Sequence, residues 1–173
     1  MSNLSKLLER WKEDPSFMAN VTRWEVLPAT EGSYRAFPEF LDRRLGEALQ
    51  KRGIDNLYSH QAAALEAVQR GENVVVVTPT ASGKTLCYNL PVVNAVLNDP
   101  QSRALYLFPT KALSQDQVAE LRELAGCLEL ESNAFTYDGD TEPGVRQAIR
   151  RSGHIVVTNP DMLHAGILPH HTK

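Results

Sequence analysis

Cysteine is scarce in this sequence. The two cysteines, Cys87 and Cys127, lie far apart, and no Cys-x-x-Cys pair occurs. Closely spaced cysteines are the usual sign of a zinc site or a redox motif, so their absence disfavours both classes. The sequence therefore predicts two reduced, buried thiols, which is typical of a cytoplasmic protein.

Long apolar runs and a strong basic charge are also missing. No stretch approaches the about 20 apolar residues of a membrane span, and the N-terminal residues MSNLSKLLERWKEDPSF lack the apolar centre of a secretory signal. We therefore expect no membrane association. The formal net charge is −3, so any contact with nucleic acid has to come from a local groove rather than from an overall basic field.

Helical and strand patterns follow one another in a regular order along the chain. Apolar spacing, capping residues and glycine stops predict helices at residues 3–13, 38–52, 59–70, 83–97, 111–126 and 143–151. Apolar runs predict strands at residues 73–78, 104–108, 134–137 and 154–158. Strands that alternate with helices favour an α/β fold with a parallel sheet and helices on both faces. We predict a helical N-terminal extension at residues 1–52 and the α/β domain at residues 53–173.

The segment TPTASGKT follows the apolar run NVVVVT and opens a predicted helix. In this context backbone amides from Ala81 to Thr85 can converge on phosphate oxygens at the helix N-terminus, and Gly83 permits a close approach. The Lys84 ammonium can balance the charge of β- and γ-phosphates, and the Thr85 hydroxyl can ligate Mg²⁺. Thr78 stands where the strict phosphate-loop pattern has its first glycine. A Gly-Lys-Thr turn that only joins a strand to a helix is the alternative interpretation.

Several short motifs in order resemble those of superfamily 2 helicases of the DEAD/DEAH-box type. GIDNLYSHQ (residues 53–61) resembles the Q motif, PTASGKT motif I, FPTKALSQDQ (108–117) motif Ia and TNPDML (158–163) motif Ib. YDGDT (137–141) lies where the family has a glycine-containing contact loop. These helicases normally have Ala or Thr in place of the leading glycine, as at Thr78. The combination is most similar to the YprA-like branch, which includes the mitomycin repair factor A group.

The resemblance implies a RecA-like P-loop NTPase fold that binds ATP and Mg²⁺. The residues implied to contact the nucleotide are Thr80, Ala81, Ser82, Gly83, Lys84 and Thr85. Among them, Lys84 and Thr85 would act in catalysis, and Thr85 would ligate Mg²⁺. Gln61 would read the adenine edge, because a side-chain amide both donates and accepts hydrogen bonds. Phe37 would stack on the base; Tyr34 is an alternative, and simple packing of either ring against the core is another.

The resemblance also implies a track for a nucleic-acid backbone. Pro109, Thr110 and Lys111 open a predicted helix after a strand, where free amides and an ammonium could hold a phosphate. Gly139 and Thr158 would continue the track. Contacts to phosphate are independent of sequence and depend on salt. The expected partner is single-stranded DNA or a tailed duplex, with RNA as an alternative, because both have the same phosphates.

Other charged side chains have simpler expected roles. A surface lysine without a ligand is the alternative for Lys111. Arg146, Arg150 and Arg151 are predicted to form a solvated helix face. His164, His170 and His171 are predicted to form a surface cluster rather than a metal site, because no cysteine or spaced acid joins them.

An Asp-Glu pair at the end of a buried strand, which such helicases need, is absent. The Asp holds Mg²⁺ through water and the Glu activates the attacking water, but Asp161 in VVTNPD follows Asn-Pro instead. We expect this pair, and a second RecA-like domain with its arginine fingers, beyond residue 173 of a longer chain. The expected whole protein is an ATP-dependent DNA helicase or translocase in DNA repair, and residues 1–173 alone should hydrolyse ATP poorly.

Three other interpretations remain open. A different P-loop enzyme, such as a nucleotide kinase, would contain its own acidic residues and would turn over without nucleic acid. A self-contained, non-catalytic module would bind a nucleotide or nucleic acid and need no further motif. An RNA helicase would have the same core motifs, so only the similarity to the YprA-like branch favours DNA.

Overall fold

The computed structural model describes residues 3–28, 30–128 and 134–170. Contacts divide the chain into two compact units, one ending at Gly32 and the other beginning at Ser33. Residues 33–52 thus pack with the α/β part of the chain. The functional division at residues 52 and 53 stays a prediction.

The first unit contains two helices, α1 (Asn3–Glu13) and α2 (Pro15–Met18). The predicted helix at residues 3–13 is confirmed. Asp14 caps α2 by accepting hydrogen bonds from the amides of Ser16 and Phe17, and hydrogen bonds from these two residues lower the pKa of Asp14. The Trp11 and Phe17 rings stack with centroids 5.0 Å apart and so join the two helices.

The second unit alternates strands and helices as predicted from Lys84 onward, but the helices Ser59–Gln69 and Lys84–Asn98 follow each other with no strand in the described residues 70–83 between them. Its strands are β1 (Tyr34–Arg35), β2 (Leu57–Tyr58), β3 (Ala104–Leu107), β4 (Ala134–Thr136) and β5 (Ile155–Thr158). Its α-helices are α3 (Arg43–Lys51), α4 (Ser59–Gln69), α5 (Lys84–Asn98), α6 (Lys111–Gly126), α7 (Pro143–Ser152) and α8 (Pro160–Met162). A π-helical turn (Leu163–Ile167) and a 3-10 turn (Leu168–His170) follow. Helix α3 begins later than predicted because the Asp42 carboxylate accepts from the Arg44 amide and caps it there.

The main sheet is parallel, which confirms the predicted α/β class. Its three strands lie in the order β3-β5-β4, with Ala104 and Ala134 each paired to Ile155. The strand that comes last in the chain is therefore the central one. A separate antiparallel pair joins β1 to β2, and sequence patterns predicted neither of these two strands.

The hydrophobic core of the second unit lies between these helices and the sheet. Leu45, Leu49, Leu65 and Leu90 are fully buried, and so is Val157 of the central strand. Burying each such side chain contributes about 1.5–3 kcal/mol. The core therefore connects α3, α4 and α5 to the strands, and it holds the start of α5 in place.

The two cysteines are both free, as predicted. Cys87 is buried in α5, and burial raises the pKa of its thiol. Cys127 follows α6 and is exposed, so the prediction of burial is wrong for that residue. None of the helices in the described ranges combines the length and apolar composition of a membrane span.

The predicted strand at residues 73–78 does not form. Val75 and Val77 are each 88% exposed, and no strand of the described ranges pairs with this run. The reason is the lack of a partner, since a strand is stable only when its backbone groups join a ladder. A groove of about 690 Å³ separates Val74 and Val76 from Ala104 at the edge of the sheet.

This apolar run gives the first testable prediction. Unpaired backbone next to exposed valines invites pairing between molecules, so we expect the chain to self-associate as its concentration rises. Substituting Val75→Lys and Val77→Lys together should weaken that association, because two charges oppose strand pairing. Sedimentation velocity across a concentration series measures it.

The matched control is Val145→Lys, which places the same charge on an exposed valine of α7. It should leave the association unchanged. A wild-type chain that stays a monodisperse monomer at high concentration would contradict the prediction.

Candidate nucleotide and nucleic-acid sites

A sharp turn precedes helix α5. Gly83 is the N-cap residue and adopts a left-handed conformation with φ 74°. Ala81 also has a positive φ, 60°, which is uncommon for a residue with a side chain and costs on the order of 1–3 kcal/mol. The turn points the chain into a helix of 15 residues, whose first amides have no partner within the helix.

The Lys84 side chain folds back over this turn. Its Nζ donates to the carbonyl oxygens of Thr78 at 2.8 Å and Pro79 at 2.5 Å, and it lies 3.3 Å from the hydroxyls of Thr78 and Ser82. Those two hydroxyls are 2.6 Å apart. Thr78, at the position of the usual first glycine, therefore closes the loop around the ammonium. The loop holds a positive charge at a helix N-terminus, which is the arrangement that binds phosphate.

Helix α4 supports the turn from the side. Gln61 is 3% exposed; its Nε2 donates to the Gly83 carbonyl oxygen at 2.8 Å, and its Oε1 accepts from the Tyr58 amide at 2.9 Å. His60 Nε2 donates to the Ser82 carbonyl oxygen at 2.9 Å. A Cβ on residue 83 would lie 2.6 Å from Gln61 Nε2, so both the left-handed φ and the available space require glycine there.

This bracing was not found from the sequence. Gln61 at the third position of α4 was its signal, because a glutamine there can accept from the N-cap amide, as it does from Tyr58. Both amide atoms of Gln61 already bond to the protein. The predicted reading of adenine by Gln61 stays a prediction.

An aromatic stack lies beside the turn. The rings of Tyr34 and Tyr58 stack at 4.9 Å, and those of Tyr58 and His60 at 5.6 Å. Tyr34, 57% exposed, lines a pocket of about 500 Å³ together with Gln61 and Gly83. Phe37 instead packs against Gly46 and the core. The structure thus brings the alternative ring, Tyr34, to the pocket, and the interpretation of Phe37 as core packing fits its position.

The remaining predicted nucleotide residues have different exposures. Thr80 and Ala81 are exposed, while Ser82 and Thr85 are half-buried. Thr85 lies in the first turn of α5, next to Lys84. In the part of the chain that the structure describes, no three His, Cys, Asp or Glu residues come together as a metal site. The Thr85 hydroxyl fits the single protein ligand expected for an ion held mainly by phosphate and water.

The carboxyl ends of β3, β4 and β5 meet at one edge of the sheet, because the strands are parallel. Pro109, Lys111 and Gly139 are exposed there. Thr110 caps α6 by accepting from the Leu113 amide at 3.3 Å. Thr158 is 1% exposed and donates to the Tyr137 carbonyl oxygen at 2.6 Å. The hydroxyl of Thr158 is thus committed to the protein, and its predicted place on the nucleic-acid track is not supported.

The loop Asp138–Thr141 at this edge is held by its own hydrogen bonds. The Asp138 carboxylate accepts from the Asp140 amide, and the Thr141 hydroxyl accepts from the Asp138 amide, both at 2.9 Å. Arg146 donates to the carbonyl oxygens of Asp138, Gly139 and Thr141. Arg146 is therefore half-buried and holds this loop, so its predicted role on a solvated face is wrong.

Lys111 and Asp140 form an ion pair across this edge. The Lys111 ammonium donates to the Asp140 carboxylate at 2.6 Å. Each charge stabilises the other, which raises the pKa of Lys111 and lowers that of Asp140. The predicted phosphate-binding lysine thus has a carboxylate as its partner. His164 and His170 are exposed, and His171 lies outside the described residues.

Comparison with known proteins identifies the family of this chain. The chain matches the DEAD/DEAH box helicase family over residues 58–173. It is 58% identical over 154 residues to the ATP-dependent helicase YprA of Bacillus subtilis, across 89% of this chain and 21% of YprA. It is 35% identical over 175 residues to the ATP-dependent helicase HRQ1 of Saccharomyces cerevisiae, across 100% of this chain and 16% of HRQ1.

A solved structure shows the same fold. The crystal structure of the DUF1998 helicase MrfA bound to DNA and AMPPNP matches 99% of this chain with a TM-score of 0.86 and 53% identity. The chain spans 24% of that protein. The predicted fold and the predicted YprA-like branch are confirmed. This chain belongs to the DEAD/DEAH box helicase family, in the superfamily 2 branch that contains YprA and MrfA.

Proposed function

We propose that this chain is the ATP-binding N-terminal part of an ATP-dependent DNA helicase or translocase that acts in DNA repair in the cytoplasm. The observation that best supports this function is the Lys84 ammonium held within a turn at the N-terminus of α5. The helicase MrfA, which shares this fold, binds DNA and AMPPNP.

The phosphates of the nucleotide would bind at the turn before α5. Phosphate oxygens would replace the carbonyls of Thr78 and Pro79 as partners of Lys84, and they would accept from the amides that lead into α5. Gly83 permits their close approach, and the Thr85 hydroxyl would hold Mg²⁺. The bound ion would neutralise charge on the phosphates. The base would lie in the pocket beside Tyr34.

Efficient hydrolysis would need residues from the rest of a longer protein. The groove between residues 73–78 and β3 has the apolar lining that suits one more strand. A strand from that longer chain would pair with β3 on one side and with residues 73–78 on the other. It would bring an acidic pair to the carboxyl end of the sheet. The second RecA-like domain would supply arginine side chains to the phosphates.

A nucleic-acid backbone would follow the carboxyl edge of the sheet. Lys111 and the exposed backbone at Pro109 and Gly139 are the proposed contacts. Such contacts recognise phosphate, so we expect little preference for sequence. Single-stranded DNA or a tailed duplex is the proposed partner, and RNA is the alternative.

The nucleotide proposal predicts the effect of Lys84→Ala. The substitution removes charge-assisted hydrogen bonds of about 1.5–3 kcal/mol, so ATP affinity should fall about 10- to 100-fold. Calorimetric titration with ATP and Mg²⁺ measures the loss, and turnover is followed in the same samples with and without single-stranded DNA. We expect negligible turnover by the wild-type chain.

Lys51→Ala is the control, since it removes an exposed lysine at the end of α3. It should bind ATP like the wild type. Robust turnover by the wild-type chain would mean that residues 1–173 already contain the catalytic acid. Equal affinities of wild type and Lys84→Ala would refute the phosphate site.

The bracing of Gly83 predicts the effect of Gln61→Ala. The Gly83 carbonyl loses the hydrogen bond from Gln61 Nε2 and keeps only the one from the Leu86 amide. The lost bond is worth about 0.5–1.5 kcal/mol, so affinities for ATP and GTP should both fall about 2- to 12-fold. Their ratio should stay unchanged, because Gln61 is buried and both of its amide groups already bond to the protein. Competition titrations with both nucleotides give the ratio.

Gln69→Ala, an exposed glutamine of the same helix, should change neither affinity. A loss confined to ATP would show instead that Gln61 turns from Gly83 to the adenine when the nucleotide binds.

A further inference from the structure

The ion pair between Lys111 and Asp140 lies on the proposed nucleic-acid track. The two groups meet at 2.6 Å although their side chains are 50% and 82% exposed. Long exposed side chains lose freedom when they pair, and such pairs contribute little to folding. The value of this pair therefore lies in where it stands and in how the backbone around it is held.

Asp140 lies on a loop whose backbone is held by hydrogen bonds. Its amide donates to the Asp138 carboxylate at 2.9 Å, and Asp138 is only 9% exposed. Arg146 donates to the carbonyl oxygens of Asp138 and Gly139 at 2.9 and 3.1 Å. The guanidinium also lies over the Tyr137 ring, 5.5 Å from its centroid. These bonds hold the loop backbone at Asp140 beside α6, and Lys111 reaches the Asp140 carboxylate from the first turn of that helix.

A carboxylate and a phosphate bind an ammonium group in the same way, as acceptors of charge-assisted hydrogen bonds. Both offer anionic oxygens at hydrogen-bonding distance. A backbone phosphate that approaches Lys111 meets an oxygen of Asp140 already 2.6 Å from Nζ. The phosphate has to displace that carboxylate, or else lie beside a like charge.

We propose that Asp140 competes with the nucleic-acid phosphate for Lys111 and so lowers the affinity of this edge for a single strand. This inference rests on the proposed function of the edge. The Asp140 carboxylate is an internal anion that the strand must displace from Lys111. Asp140 is a residue that sets affinity through Lys111, and it does not itself hold the strand.

The test is a double-mutant cycle on the 173-residue chain. The affinity for a labelled oligo-dT strand is measured by fluorescence anisotropy at low salt, where charge effects are least screened. The four proteins are wild type, Asp140→Asn, Lys111→Ala and the double variant, with folding checked by circular dichroism. We expect Asp140→Asn to tighten binding about 2- to 5-fold, in line with one exposed ion pair. In the Lys111→Ala background the same substitution should change the affinity little.

Asp116→Asn is the matched control. Asp116 is exposed on α6, so this substitution removes the same charge from the helix that bears Lys111. An equal gain with Asp116→Asn, or a gain from Asp140→Asn that persists without Lys111, would show a general charge effect and overturn the inference. Wild-type binding with no change in Asp140→Asn would overturn it while leaving the proposed function intact.

The remaining outcomes are those in which the wild-type chain shows no measurable binding of the oligo-dT strand. Binding that appears only in Asp140→Asn would support the competition directly. If none of the proteins with Lys111 binds the strand, the proposed nucleic-acid function of this edge is refuted together with the inference.

Discussion

A positive charge held inside a turn of backbone oxygens is the interaction on which the candidate nucleotide site depends. The carbonyls of Thr78 and Pro79 keep the Lys84 ammonium over the turn. The left-handed Gly83 lets the chain enter α5 directly afterwards. Gln61 holds the Gly83 carbonyl from α4, so the shape of the turn depends on packing between two helices. A ligand that replaces the carbonyls finds the charge already in place, which limits the reorganisation that binding requires.

The parallel sheet imposes a second constraint. It gathers the loops after β3, β4 and β5 at one edge, where groups from distant parts of the sequence become neighbours. Lys111 follows β3 and Asp140 follows β4. The two residues meet at this edge because β3 and β4 both pair with β5. The geometry that suits phosphate binding therefore also brings an internal anion to the same lysine.

Sequence patterns predicted a helix or strand well where its formation depends on residues that are close together in the sequence. The helices at residues 3–13 and 111–126 have the predicted ends, because apolar spacing and capping are properties of neighbouring residues. The run NVVVVT shows the limit. Its composition favours a strand, yet Val75 and Val77 stay exposed because strand formation needs a second strand to supply hydrogen bonds.

The candidate site divides in the same way. Motif spacing was sufficient to locate the turn at Gly83 and Lys84 and the lysine at the start of α6. It did not identify the partners of these groups. The Thr158 hydroxyl donates to the Tyr137 carbonyl oxygen, and Arg146 donates to the Asp138 carbonyl oxygen in the loop that bears Asp140. Each of these contacts joins residues whose distance is set by packing rather than by their separation along the chain.

The sequence by itself determined the class of fold, the family and the place of the turn before α5, since these depend on residue types at short spacings. The tertiary structure decided which side chains are free to meet a ligand. It committed Gln61 to Gly83, Phe37 to the core and Lys111 to Asp140, and it left Tyr34 beside the pocket. The physical reason is that a polar group buried or crowded in the fold must find a partner, and only the packed chain determines which partner lies within reach.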